Sequence, residues 1–171
     1  PVSKDGKLLP YFIAVRNGDK HAIDIVKAGN EKVLEARLAD ALFFYDEDIK
    51  KPLESFVENL KTVVFQAKLG TVYDKTLRIE KLAQDIVETL DEKDILNDTW
   101  RAAKICKADW VNNMVVEFTE RQGVMGREYA KVGGENDAGA QAIFEHYLPR
   151  SAGEILPQTQ EGIALSIADK L

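Results

Sequence analysis

The 171-residue chain carries 23 Lys and Arg against 29 Asp and Glu, a formal net charge of −6, with 45% apolar and 30% charged residues. This is the composition of a globular domain, and its acidity excludes a surface that grips a polyanion from every side. Its one cysteine, Cys106, excludes an internal disulfide and a cysteine-rich zinc centre and fits a reducing cytoplasm. No signal-peptide pattern and no apolar run of about 18 residues occurs, so no membrane partner is expected.

In chain order, Leu8 to Val15 is rich in β-formers and "RNGD" (16–19) is a tight-turn signal, which together predict a hairpin with a second strand over Ile23 to Val26. Two strands alone cannot bury both faces, so they read as part of a larger sheet or as packing on helices. The period then changes. Asn30 reads as an N-cap, and Leu34, Leu38, Ala41, Leu42 and Tyr45 share one helical face. Pro52 opens a second helix, with Leu53, Phe56, Val57, Leu60 and Val64 as its stripe and Gly70 as its stop. A third helix is predicted over Asp74 to Leu90. A fourth, Asp94 to Phe118, carries a broad apolar arc that includes Trp100 and Trp110 and is expected to be central. Shorter helices follow over 120–131 and 137–146. "YLPRSAGEILPQT" is a turn-rich link, and a last helix starts near Thr159.

The reading is a mainly α chain with a short β start. Residues 1–29 are assigned to the β-rich end of a preceding domain and 30–171 to a helical domain. The opening Pro1 and the closing "SIADKL", which has no helix stop signal, read as a segment cut from a longer protein. Residues 101–131 carry six Lys/Arg against four Asp/Glu, whereas 135–171 carry two against six, so a polyanion would have to meet a local patch.

"GVMGREYAKVGGE" (123–135) raises the question of a phosphate loop. A P-loop needs Lys-Ser/Thr directly after its last glycine, but Gly134 is followed by "END". The dinucleotide spacing G-x-G-x-x-G is also missing. Gly123 and Gly126 are instead expected to let helices approach closely, and Gly133 and Gly134 to end a helix.

Six blocks carry a family resemblance. They are "GKLLPYFIAVRNGD" (6–19), "GNEKVLEARLADALFFYDED" (29–48), "VVFQAKLGTVYDKTLRI" (63–79), "AAKICKADWVNNMVVEFTERQGVMGREYA" (102–130), "EHYLPRSAGEILP" (145–157) and "ALSIADKL" (164–171). Together they resemble the β subunits of bacterial two-subunit glycyl-tRNA synthetases. The resemblance implies an α2β2 ligase that charges glycine tRNA using ATP. The α subunit would hold the adenylate site with its ATP and Mg, and the β subunit would supply tRNA-binding modules. This segment would be an HD-like helical bundle preceded by a short β segment, with no catalytic residue and no cofactor of its own. Its partners would be the α subunit and glycine tRNA.

HD domains present His, a His-Asp pair and a later Asp to metal ions that activate water. Laid onto this chain, those positions fall at Lys75, at Cys106 and Lys107, at His146, and at Asp169. Lysines in such a site repel a cation, so no metal is expected. Asp109 is the expected partner of Lys107 or Arg101, His146 a helix-end or interface residue, and Cys106 a small buried hydrophobe. The converted cleft could receive phosphate. Lys75, Arg78, Arg101, Lys104, Lys107, Arg121, Arg127 and Lys131 are the candidate tRNA contacts. The competing reading pairs them with Asp74, Glu80, Asp109, Glu120 and Glu128. "FFY" (43–45), Trp100 and Trp110 read as core rather than as base-stacking residues. A residual HD phosphohydrolase and a pure α/β subunit-interaction module are the alternative functions.

Overall fold

Asp5 and Gly6 take left-handed backbone values, φ 51° and 74°, and close the first hairpin of the computed structural model, which describes residues 1–171. The hairpin pairs β1 (Ser3–Lys4) with β2 (Lys7–Leu8), antiparallel, with Ser3 opposite Leu8. Asp-Gly is a turn that right-twisted strands favour. The hairpin therefore lies earlier than expected, and "RNGD" joins no strands. Ile23–Val26, expected as a strand, is the first turn of α1 (Ile23–Asp48). The β preference of a few branched residues is weak against the Ala-, Leu- and Glu-rich run that follows, which extends the helix back through them and encloses Asn30. Contacts divide the chain into two units, Pro1–Leu42 and Phe43–Leu171. The break falls inside α1, later than the 29/30 boundary. No residue of the first unit is buried, and Leu34, Leu38 and Leu42 are exposed.

The second unit is a helical bundle. Pro52 opens a helix as expected, but it is a 3₁₀ helix, Leu53–Thr62, that buries Leu53, Val57 and Leu60. The expected continuation to Gly70 is instead a small hairpin, β3 (Val64–Gln66) with β4 (Gly70–Thr71). Gly70 has φ +88° and turns the chain rather than stopping a helix. Thr71 and Asp74 then form a reciprocal capping box that starts α2 (Val72–Thr89).

The single helix expected over 94–118 is broken into α3 (Leu96–Ile105), a 3₁₀ turn at Ala108–Val111, and α4 (Asn113–Glu117). Two carboxyl or amide side chains cause the break by offering caps. Asn112 accepts from the Val115 N–H at 2.9 Å. Asp48, buried at the end of α1, accepts from the Asn113 and Met114 N–H groups, both at 2.9 Å, and from the Tyr129 hydroxyl at 3.0 Å.

α5 (Val124–Val132) begins at Gly123, whose φ of +78° sets its first turn, and it ends through a Schellman arrangement at Gly133 and Gly134. α6 (Asp137–Glu145) is capped by Asn136 and α7 (Gln160–Lys170) by Thr159. The core is made where α2 packs on α3 and α7, and α6 packs on α3, α5 and α7. No helix is long and apolar enough to cross a membrane.

Gly126 lets α5 approach α6. A Cβ there would stand 2.9 Å from Ile143 Cγ2 and 2.9 Å from Asp109 Oδ2. Both neighbours are buried, so Gly126→Ala is expected to cost about 1–3 kcal/mol of unfolding free energy despite alanine's better helix propensity. Urea denaturation reads this directly, and an unchanged midpoint would show that the interface gives way.

Candidate functional site

The bundle brings the five mapped positions together from four parts of the chain. Lys75 comes from α2, Cys106 and Lys107 from the end of α3, His146 from the end of α6, and Asp169 from α7. Asp169 is their hub. The Lys107 ammonium lies 2.9 Å from its Oδ2, and the Lys75 ammonium lies 2.9 Å from its Oδ1. Lys75 directs its hydrogen bond to the Asp169 carbonyl at 2.8 Å, so its grip on Oδ1 is Coulombic. Lys107 is fully buried, 2% exposed, and its ammonium sits 4.2 Å from the Tyr147 ring centroid. Burial pushes the Asp169 carboxyl up, but Lys107 and then Lys75 outweigh it and hold it at about 2.

His146 is neutral. Burial and then the Lys107 charge hold its pKa well below the usual histidine value. Its Nδ1 lies 2.6 Å from the Ile143 carbonyl, which can only accept, so Nδ1 carries the proton. Nε2 is left as a buried lone pair without a hydrogen-bond partner. Cys106 is 0% exposed and its thiol, pushed up to about 12 chiefly by burial, donates to the Ala103 carbonyl. It is the small buried hydrophobe that the sequence suggested, not a nucleophile.

These residues do not fit a catalytic metal. No group of three or more His, Cys, Asp or Glu side chains gathers that could hold an ion. The one carboxylate at the hub is already neutralised by two ammonium groups of the chain itself. No hydrolytic step follows from this geometry.

Asp109 is not the partner of Lys107 or Arg101. Its Oδ2 accepts from the Gly123 N–H at 2.6 Å and the Gly126 N–H at 3.2 Å, which caps α5 from outside. Burial raises its pKa to about 6 against those two bonds and the nearby Lys107 charge.

The other cation candidates separate into distinct places. Arg101 grips Glu135 through two N–H groups and Glu54 at 2.8 Å, while Lys104 also holds Glu54, at 2.7 Å. That network ties the 3₁₀ helix 53–62 to α3 and to the segment after α5. Exposed Arg78 gives one N–H to the Leu69 carbonyl at 3.0 Å. Lys131 pairs with Asp137 at 3.1 Å, and exposed Arg121 lies 3.7 Å from Glu120. Arg127 pairs with Glu128 at 2.9 Å and stands 4.9 Å from the Phe144 ring centroid. Arg150, which the sequence reading passed over inside the link, stands 5.6 Å from the same ring with no acidic partner for its guanidinium. Trp100 donates to Glu80 and Trp110 to the Tyr147 hydroxyl, each at 2.7 Å, so both indoles are committed inside the bundle.

A helical scaffold with internal ion pairs and several outward arginines suits a non-hydrolytic module, and comparison with known proteins places it among the subunits of aminoacyl-tRNA synthetases. The family model described as "Glycyl-tRNA synthetase beta subunit" matches residues 1–171, and the chain belongs to that family. It is 71% identical over 171 residues to the glycine–tRNA ligase beta subunit of Clostridioides difficile (strain 630), covering 100% of this chain and 25% of that protein. It is 53% identical over 169 residues to that of Trichodesmium erythraeum, covering 98% and 24%. It is 48% identical over 169 residues to that of Bacillus subtilis (strain 168), covering 98% and 25%. The chain thus spans about a quarter of the length of the curated relatives it matches.

Proposed function

We propose that this chain is a non-catalytic segment of a glycine–tRNA ligase β subunit that contacts tRNA phosphates and scaffolds the enzyme. The ATP- and Mg-dependent aminoacylation would be carried by the α subunit in an α2β2 assembly in the cytoplasm. The observation that carries the tRNA reading is the convergence of Arg127 and Arg150 on Phe144, with Arg121 on the approach to the same end of α5. Arg150 has no carboxylate to neutralise it, and guanidinium groups match phosphate oxygens in pairs. The buried Lys107 serves the bundle instead, so it is not offered as a contact. The scaffolding reading draws support from the exposed leucines of α1.

The test is tRNA binding by the full-length β subunit across a salt series, comparing the parent with Arg127→Glu/Arg150→Glu. Each lost phosphate contact flattens the log–log slope by roughly 0.7–0.9, so the double variant is expected to lose between one and two units of slope. An unchanged slope would place the contact on another face. Absence of binding by the parent at low salt would leave the scaffold role alone.

A further inference from the structure

A second cleft opens beneath the β3–β4 hairpin, on the outer side of the lysine–aspartate hub. It encloses about 260 Å³, and Phe65, Leu69 and Leu82 form apolar walls while Lys75, Arg78 and Asp169 supply the charges. The sequence reading had no such cleft, because it placed Phe65 within a helix. Three features narrow its occupant.

The field in the cleft is positive although the chain as a whole is acidic. Asp169 is the one carboxylate lining it, and that charge is shared by Lys75 and Lys107. Lys170 lines the cleft as well, with its ammonium held by the His146 and Leu148 carbonyls and by Ser166 Oγ at 2.8–3.1 Å. Burial lowers the pKa of Lys170, and although Asp169 opposes this, the Lys107 and Lys75 charges push the same way. Cations thus repel one another here, which an anion would relieve.

Arg78 is the donor with capacity to spare. It is exposed and spends one N–H on the Leu69 carbonyl, out of the five that a guanidinium carries. Lys75, Lys107 and Lys170 are committed to partners.

Phe65 is 40% exposed and Lys75 lies 4.9 Å from its ring centroid. An aromatic ring beside a free arginine is the pairing on which unpaired bases stack while their phosphates are held. The volume is just below the roughly 300–1,000 Å³ of ordinary ligand pockets. It suits one base and its phosphate and is too narrow for a duplex.

We propose that this cleft takes a single unpaired nucleotide of an RNA strand, with its base against Phe65 and its phosphate on Arg78. The assignment rests on the RNA-binding reading above and locates a site separate from Arg127 and Arg150. It is tested in the full-length β subunit by binding of a short single-stranded RNA oligomer and of a blunt RNA duplex. The variants are Phe65→Leu, which keeps the apolar wall and removes the ring plane, and Arg78→Gln, with circular dichroism confirming the fold.

Each variant is expected to weaken binding of the single strand about 5- to 10-fold and to leave the duplex unchanged. Arg78→Gln should also flatten the salt slope by about 0.7, while Phe65→Leu should not alter it. Parental single-strand binding in both variants would overturn the site, and if Arg127→Glu/Arg150→Glu still lost tRNA the broader reading would stand without it. Equal losses on strand and duplex would overturn the unpaired-nucleotide assignment. A free nucleoside monophosphate that bound as tightly as the oligomer would make this a small-molecule site. No RNA binding by the parent in any form would sink both readings together.

Discussion

Asp169→Ala is expected to cost about 3–5 kcal/mol of unfolding free energy, the range for stranding a buried charge by removing its partner. Lys107 would be left buried with its ammonium facing Tyr147, and Lys75 would lose its Coulombic partner. The counterpart Lys107→Met should cost less, because Asp169 keeps Lys75 and the methionine fills the space. The pH dependence gives an independent reading. The Asp169 carboxyl lies at about 2 in the folded chain against an ordinary value of 3.8. The unfolded chain therefore binds the extra proton between those values. The stabilisation is complete above about pH 4 and is lost as pH falls toward 2, on the order of 2 kcal/mol. Asp109, raised to about 6, acts in the opposite sense, since its contribution weakens as pH rises from about 4 to 6. Urea midpoints at pH 7 and pH 3 for the parent and Asp169→Asn separate the two groups. If Asp169→Ala costs under about 1 kcal/mol at neutral pH, the lysines have found other acceptors and the hub is not a structural tie.

Asp48→Ala should be the next most costly change, at about 3 kcal/mol. The carboxylate caps α4 by two backbone N–H groups, worth roughly 1–2 kcal/mol. It also accepts from the Tyr129 hydroxyl and the Asn113 side chain, and a buried hydroxyl stranded without a partner adds about 1–3 kcal/mol. Asp48→Asn retains one acceptor oxygen and should recover about half the loss. A second readout is amide exchange at Asn113 and Met114, which should accelerate in both variants. Protection equal to the parent's would mean that α4 starts without Asp48.

What the sequence disclosed divides along the range of the forces involved. α2, α6 and α7 were legible because their starts are set by residues next to them: Thr159 ahead of Gln160, and Asp137 in the first turn after Asn136. Gly134 likewise marked the end of α5. The break inside 94–118 was not legible. It depends on Asp48, whose cap spans 65 residues, and on Asp109, which serves glycines 14 and 17 positions ahead. The β3–β4 hairpin was hidden because Val64 continued an apolar helical spacing. At the site, the family pattern located Lys75, Cys106, Lys107, His146 and Asp169, and the fold gathers them. Residue types alone could not choose Asp169 over Asp109 as the partner of Lys107, since that choice depends on which carboxylate α7 delivers. Arg150 was missed for a related reason. It sits in a turn-rich link, and its proximity to Phe144 follows from how the chain re-enters the bundle after α6.

The charges that balance Asp169 are covalently part of the chain. A core held by a bound ion inherits that ion's mass action, so its melting point moves with free-ion concentration and collapses under a chelator. The lysine ammonium groups are at a fixed effective concentration, set by the backbone that carries them. The bundle's cohesion is therefore insensitive to the supply of divalent cations, and changes in free Mg that alter nucleotide chemistry elsewhere would leave this unit's packing untouched.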